Sequence, residues 1–349
     1  MQRLILTGLA TVCLVTVALV AGRAEAAPSR STGSLVGTGA TFPFPLISKW
    51  IPEVGKALGI DVTYSPTGSG AGIAGVTARS VDFGASDAPL SPSQLTACKG
   101  CVVIPWAVSA LAVPYNLPGL GNCVLRLTPQ TLSGIYLGEI TTWSDPRIEA
   151  SNPSCTLPDL KITPVSRSDG SGSTYAFTEY LSTVNATWRS KVGFNTSVSW
   201  PTGVSARGSS GVAGVVSKTP GALTYVDVAY ALHNELRFAW VRNRAGRFAS
   251  PGLRGIQAAL SQVPKRITSL SQLNISDPPA SAGRLAYPIG TFTYVVIPTR
   301  SAKAADLRRF VYWAVTQGQR FGPPLLFAPL PAPVQAFAYR EIKKVQAAA

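Results

Sequence analysis

The chain has 349 residues, of which 46% are hydrophobic and only 13% charged, enough apolar material for a large core and more length than one lobe usually takes. Lys and Arg number 31 against 16 Asp and Glu, a formal charge of +15 with a pI near 9.9, which favours anionic partners. Nucleic acid is disfavoured, because no helix-turn-helix signature, zinc finger or RNA-binding aromatic motif is present and the cations are dispersed.

At the N-terminus Arg3 precedes an apolar-to-neutral run over 4–20, and Ala24-Glu25-Ala26 supplies an A-x-A cleavage signal. The run is short for a membrane span, which needs about 20 apolar residues. Cys13 sits inside it behind Val12, where a lipidated cysteine would follow a small residue. Residues 1–26 are therefore expected to be a signal peptide, and the mature product soluble, not lipid-anchored, and periplasmic or secreted.

After an Ala/Pro/Ser/Thr leader over 27–34, Gly37-Thr-Gly-Ala-Thr-Phe-Pro-Phe-Pro45 turns into a helix predicted over 45–58. A strand over 62–64 then leads through Thr67-Gly-Ser-Gly-Ala-Gly72 into a helix over 71–78. Within that turn Gly70-x-Gly72-x-x-Gly75 matches the dinucleotide fingerprint, but no acidic residue ends a second strand about 20 residues on. Asp82 and Asp87 come too early for that role. Cys98-Lys-Gly-Cys101 lacks a thioredoxin-like context, and a zinc site lacks suitably spaced ligands. With Cys13 removed, Cys98, Cys101, Cys123 and Cys155 form an even set for an oxidising compartment. Three pairings are possible, and sequence spacing favours Cys98–Cys101 with Cys123–Cys155.

Further along come a strand over 102–114, a helix over 129–136 and a strand over 162–165. Ser168-Asp-Gly-Ser-Gly-Ser-Thr174 then opens a helix over 174–183. A helix over 212–217, strands over 223–226 and 294–298, and a helix over 303–316 complete the pattern. Between these, residues 236–266 carry Arg237, Arg242, Arg244, Arg247, Arg254, Lys265 and Arg266 without an acidic residue, a solvated basic surface that could draw in anions. The alternation predicts α/β architecture with mostly parallel sheets, and no fixed-period repeat points to a solenoid.

Three of the turns place glycine and hydroxyl residues at a helix start, where free backbone N–H groups and the helix dipole favour an anion. One such turn is ordinary capping; three make a convergent site. A catalytic reading fares poorly. No Gly-x-Ser-x-Gly elbow occurs, and the single histidine, His233, reads as an exposed helix end. With one histidine, the inventory for a metal-dependent phosphatase is poor. No catalytic residue, metal or cofactor is expected.

The words Gly39-Ala-Thr-Phe-Pro43, Val81-Asp-Phe-Gly-Ala-Ser-Asp-Ala-Pro-Leu90, Ile135-Tyr-Leu-Gly-Glu-Ile140 with Trp143, Arg167-Ser-Asp-Gly-Ser-Gly172, and Pro220-Gly-Ala-Leu-Thr-Tyr-Val226 with Ala229-Tyr-Ala231 occur in this order. In them the chain resembles the phosphate-binding proteins of bacterial high-affinity phosphate ABC importers. The likeness covers nearly the whole mature chain and is weakest across 236–279. It implies a two-lobed periplasmic-binding-protein fold of type II with two hinge crossovers. Lobe I would comprise 27–112 plus 290–349 and lobe II 113–289, with crossings at 107–115 and 283–294. It implies phosphate held by Thr41, the Phe42 backbone, Ser69, Asp87, Arg167, Ser171, Gly172 and Ser173; Asp169, beside Arg167 in the sequence, is a supporting residue that could hold the arginine in position. Ser173 departs from the Thr often found there but keeps the hydroxyl, and the four cysteines are no general family feature. The implied partners are inorganic phosphate and the permease and ATPase subunits of an ABC importer, met by a monomer.

The chemistry of these residues stands beside the resemblance. Hydroxyls and backbone N–H groups are neutral donors for an oxyanion, and the Arg167 fork suits two of its oxygens. Its plainer reading is a surface ion pair with Asp169. Asp87 repels an anion unless that anion carries a proton, which phosphate does at neutral pH and sulfate does not. The plainer reading of Asp87 is a turn cap before Pro89. Two rivals remain: a secreted phosphate-ester hydrolase, and a surface or adhesion protein whose basic stretch binds an acidic polymer.

Overall fold

The computed structural model describes residues 33–348; the expected signal peptide, Cys13 included, lies outside them. β1 (Gly33–Gly39) turns into α1 (Phe44–Leu58), and β2 (Ile60–Pro66) into α2 (Ser69–Thr77). β3 (Phe83–Ser86) leads to α3 (Pro92–Ala97) and the long β4 (Cys101–Ala112). The first helix shows why this local pattern folds as it does. A proline in its first turn costs no hydrogen bond, and Gly59, at φ 66, ends it in the left-handed region that a β-carbon disfavours. Leu46, Ile47, Trp50 and Val54 then form one buried face.

The next stretch contains β5 (Arg126–Leu127), α4 (Pro129–Leu137), α5 (Pro146–Glu149), β6 (Thr163–Arg167), α6 (Gly172–Val184) and α7 (Ala186–Lys191). β7 (Val204–Ala206) turns into α8 (Gly208–Lys218), and β8 (Ala222–Leu223) and β9 (Val226–Asp227) into α9 (Val228–His233). β10 (Trp240–Arg242), β11 (Phe248–Ala249) and α10 (Leu253–Leu260) precede β12 (Gly290–Pro298), and α11 (Ala304–Val315) and α12 (Ala332–Ile342) follow it.

The large sheet has the order β2-β1-β3-β12-β4-β9. β1 is parallel to β2 and β3, whereas β12 is antiparallel to β3 and β4, and β4 to β9. This sheet is mixed, where mostly parallel pairing was expected. The cause is topological: the chain leaves the sheet on β4 and returns beside it on β12, so the two must run in opposite directions. Their register extends from Gly290 opposite Ala110 to Pro298 opposite Cys101, with a shift between Thr293 and Tyr294. A smaller sheet, β7-β6-β8, is parallel throughout and carries α6 and α8 at the ends of its strands. The single strand expected over 223–226 is two, because the chain passes there from β6 to β4 and each sheet takes one end.

The described residues pack into one compact unit. The main core includes Trp50, Phe83, Trp106 and Phe310 beneath the large sheet, and Tyr136, Phe177 and Tyr225 beneath the smaller one. Cys98 is bonded to Cys101 and Cys123 to Cys155, the pairing that spacing favours. In the basic stretch Arg244 pairs with Asp277 at 2.6 Å, and Arg237 donates to the carbonyls of Gly121 and Cys123. Arg242, Arg247, Arg254, Lys265 and Arg266 are exposed. No helix among the described residues is long and apolar enough to cross a membrane.

Candidate functional site

The turns that open α1, α2 and α6 meet. The Gly70 N–H donates to the Gly170 carbonyl at 2.9 Å, and the Gly172 N–H donates to Ser69 Oγ at 3.0 Å. Such an approach needs bare backbone: a β-carbon on Gly172 would stand 2.5 Å from Asp87 Cβ and 2.6 Å from its nitrogen. Ser69 Oγ also accepts from the Asp87 N–H at 3.2 Å. With both lone pairs filled, the Ser69 hydroxyl keeps its one proton to donate elsewhere.

Arg167 ends β6 and is almost wholly buried, its side chain 1% exposed. Its Nε donates to Asp169 Oδ1 at 2.7 Å and an Nη to Oδ2 at 2.5 Å, while the other Nη donates to Thr41 Oγ1 at 3.1 Å. The pair with Asp169 exists, but it is buried and not a surface ion pair. Burial alone would raise the Asp169 carboxyl; the bonds from Arg167 outweigh it and hold that group below the usual carboxylate range. The Gly208 N–H adds a bond to Asp169 Oδ1 at 3.0 Å. Locked on one edge, the guanidinium keeps two N–H groups uncommitted.

Other donors surround this pair. The Phe42 N–H has no acceptor among the described residues, and the Phe42 ring is fixed edge-on against Phe327 at 5.8 Å. Ser171 Oγ caps α6 by accepting from the Thr174 N–H at 3.2 Å, which leaves its proton free. Ser173 Oγ is buried and unpartnered. All of these side chains, with Thr41, are at most 6% exposed.

Among these donors stands one acceptor. Asp87 is 2% exposed and its Oδ1 has no partner. It is no cap for the next helix, whose N-cap is Ser91. Burial pushes its carboxyl up to about 7, against the opposing influence of the Thr293 hydroxyl and the Arg167 cation.

Ser209 is not among the expected site residues, yet its buried hydroxyl lies 2.7 Å from Thr41 Oγ1. A signal was present: Arg207-Gly-Ser-Ser-Gly211 is a fourth glycine-serine turn at a helix start. Asp227 was not expected either; it is 0% exposed with Oδ2 unpartnered and its carboxyl raised by burial. Nothing in its local sequence distinguishes it.

An enclosed set of donors, one fork-shaped cation and the raised Asp87 carboxyl suit a small anion that carries a proton. Held at the ends of strands in an α/β fold whose chain passes between sheets, the site defines a two-lobed binding protein of the periplasmic type. A model of the PBP superfamily domain matches residues 24–317. The chain is 36% identical over 346 residues to the phosphate-binding protein PstS of Xylella fastidiosa, covering 93% of this chain and 94% of that one. It is 34% identical over 318 residues to the phosphate-binding protein PstS of Pasteurella multocida, covering 90% and 89%. In fold it resembles a high affinity periplasmic phosphate-binding protein (PfluDING) solved with bound phosphate, at a TM-score of 0.70 and 24% identity, covering 88% of this chain and 93% of that one. The chain belongs to the PstS family of phosphate-binding proteins.

Proposed function

We propose that this protein binds inorganic phosphate outside the cytoplasm and delivers it, chemically unchanged, to the permease and ATPase subunits of a phosphate ABC importer. Residues 1–26 are removed on export, and the mature protein acts as a monomer in the periplasm or beyond it. Lobe I is built from 27–112 plus 290–349 and lobe II from 113–289, and they close about β4 and β12. Thr41, Phe42, Ser69, Arg167, Ser171, Gly172 and Ser173 donate to the anion, and Asp87 accepts its proton. That the relatives in Xylella fastidiosa and Pasteurella multocida are phosphate-binding proteins supports the ligand.

The observation that carries this reading is the unpartnered Asp87 Oδ1 inside a shell of donors. A fully ionised oxyanion would leave two acceptors facing each other, whereas monohydrogen phosphate supplies the missing proton. Titration of the mature protein with phosphate, sulfate and molybdate tests it, read by fluorescence of its 7 tryptophans. Saturation by phosphate with sulfate rejected is expected; equal responses to the two would defeat the reading. Small-angle scattering should also show compaction on adding phosphate.

A further inference from the structure

Ser209 lies in the first turn of α8, a helix that no expected ligand residue belongs to. It is 0% exposed, and its hydroxyl meets that of Thr41 at 2.7 Å, 168 positions earlier in the chain. The preceding residue, Gly208, donates its N–H to Asp169. One turn therefore touches both groups that hold Arg167 in place, Asp169 and Thr41.

Hydrogen counting makes the contact directional. A hydroxyl has one proton and two lone pairs. At Thr41 one lone pair takes an N–H from Arg167. If Thr41 donates to Ser209, its only proton is spent inside the protein and a bare lone pair faces the anion. If Ser209 donates to Thr41, both lone pairs are filled and the Thr41 proton is left for the anion. A bound oxyanion admits only the second arrangement.

We infer that Ser209 is a positioning residue for phosphate binding: its O–H donates to Thr41 Oγ1 and so commits the Thr41 proton to the ligand. The inference rests on the proposed phosphate reading and extends it to a residue outside the expected ligand set. It acts through Thr41, which gives it a signature that a general packing role lacks.

The test is a thermodynamic cycle by calorimetry on the mature protein, with phosphate as titrant and wild type, Ser209→Ala, Thr41→Val and the double variant compared. Ser209→Ala should weaken phosphate binding roughly tenfold, and the same change in the Thr41→Val background should alter it less than about twofold. Ser209→Cys, close in size but a weaker donor, should fall between wild type and Ser209→Ala. Losses that multiply independently would overturn the inference, as would an Ser209→Ala affinity within about twofold of wild type. A wild-type protein that binds no phosphate would instead overturn the reading beneath it. Thermal melts without ligand check that each variant is folded.

Discussion

Ser69 and Gly172 meet across 103 positions of sequence, the Gly172 N–H donating to Ser69 Oγ at 3.0 Å. The Asp87 N–H shares that oxygen, so one hydroxyl ties the second helix start to the sixth and fixes the backbone of the single acceptor. Ser69→Ala removes the partner of two buried N–H groups and one donor to the ligand. It should weaken phosphate binding about 100-fold, because each buried group left unpaired costs about 1–3 kcal/mol. Calorimetry checks this, and a loss below about threefold would contradict the geometry.

Arg167 serves Asp169 along one edge and Thr41 at its tip, and in the proposed site it must face the anion as well. A lysine ammonium offers one point of charge and cannot reproduce that fork. Arg167→Lys should retain the charge yet weaken phosphate binding by about 10- to 100-fold. Calorimetric affinity close to wild type would show that charge alone suffices.

The buried carboxyls give the ligand-free protein a pH dependence. The Asp87 carboxyl stands at about 7 when folded, above the ordinary carboxylate value, so between the two the folded chain holds a proton that the unfolded chain has released. Stability from this group is present at acid pH and is lost as pH rises through about 7. Burial likewise raises Glu179 to about 7 and raises Asp227, so all three slope the same way. Denaturant unfolding without phosphate should show stability falling between about pH 4 and 7 and levelling off above that. In Asp87→Asn the fall should be smaller, by no more than about 4 kcal/mol. Identical slopes in the two proteins would contradict an ionising Asp87 in the folded state.

The helix starts at Gly37–Pro45, Thr67–Gly72 and Ser168–Thr174 were readable because glycine and hydroxyl residues before a periodic apolar run carry their own local reason to turn. What brings them together is not local. The contact of Gly70 with Gly170 depends on the sheets and their connections: the count of three turns pointed to a convergent site, but not to which backbone groups would touch. Ser209 was missed because the helix was expected to begin at 212, four residues after its observed start at Gly208, which placed the serine in an unremarked loop. The mixed pairing of the large sheet was invisible for a related reason. Strand direction is set by where the chain returns, and β12 returns some 180 residues after β4 leaves.

The Cys123–Cys155 bond joins residues 32 positions apart, away from the turns that carry the site. Chain entropy assigns such a closure roughly 3–4 kcal/mol. Replacing both cysteines by serine should lower the unfolding free energy by about that amount and leave phosphate affinity within about twofold. Denaturant unfolding paired with calorimetry reads both; a large affinity loss would tie the bond to the site.

The central claim is that one acceptor among donors selects a protonated anion, and Asp87→Asn addresses it directly. Asparagine keeps the shape but can present N–H donors where the carboxylate could only accept. Competition calorimetry at pH 8, where most Asp87 is ionised, should show wild type rejecting sulfate by roughly 10⁴-fold relative to phosphate. In the variant, sulfate binding should gain at least about tenfold and phosphate binding should fall by less than the discrimination does. Sulfate rejection unchanged in Asp87→Asn would contradict the account.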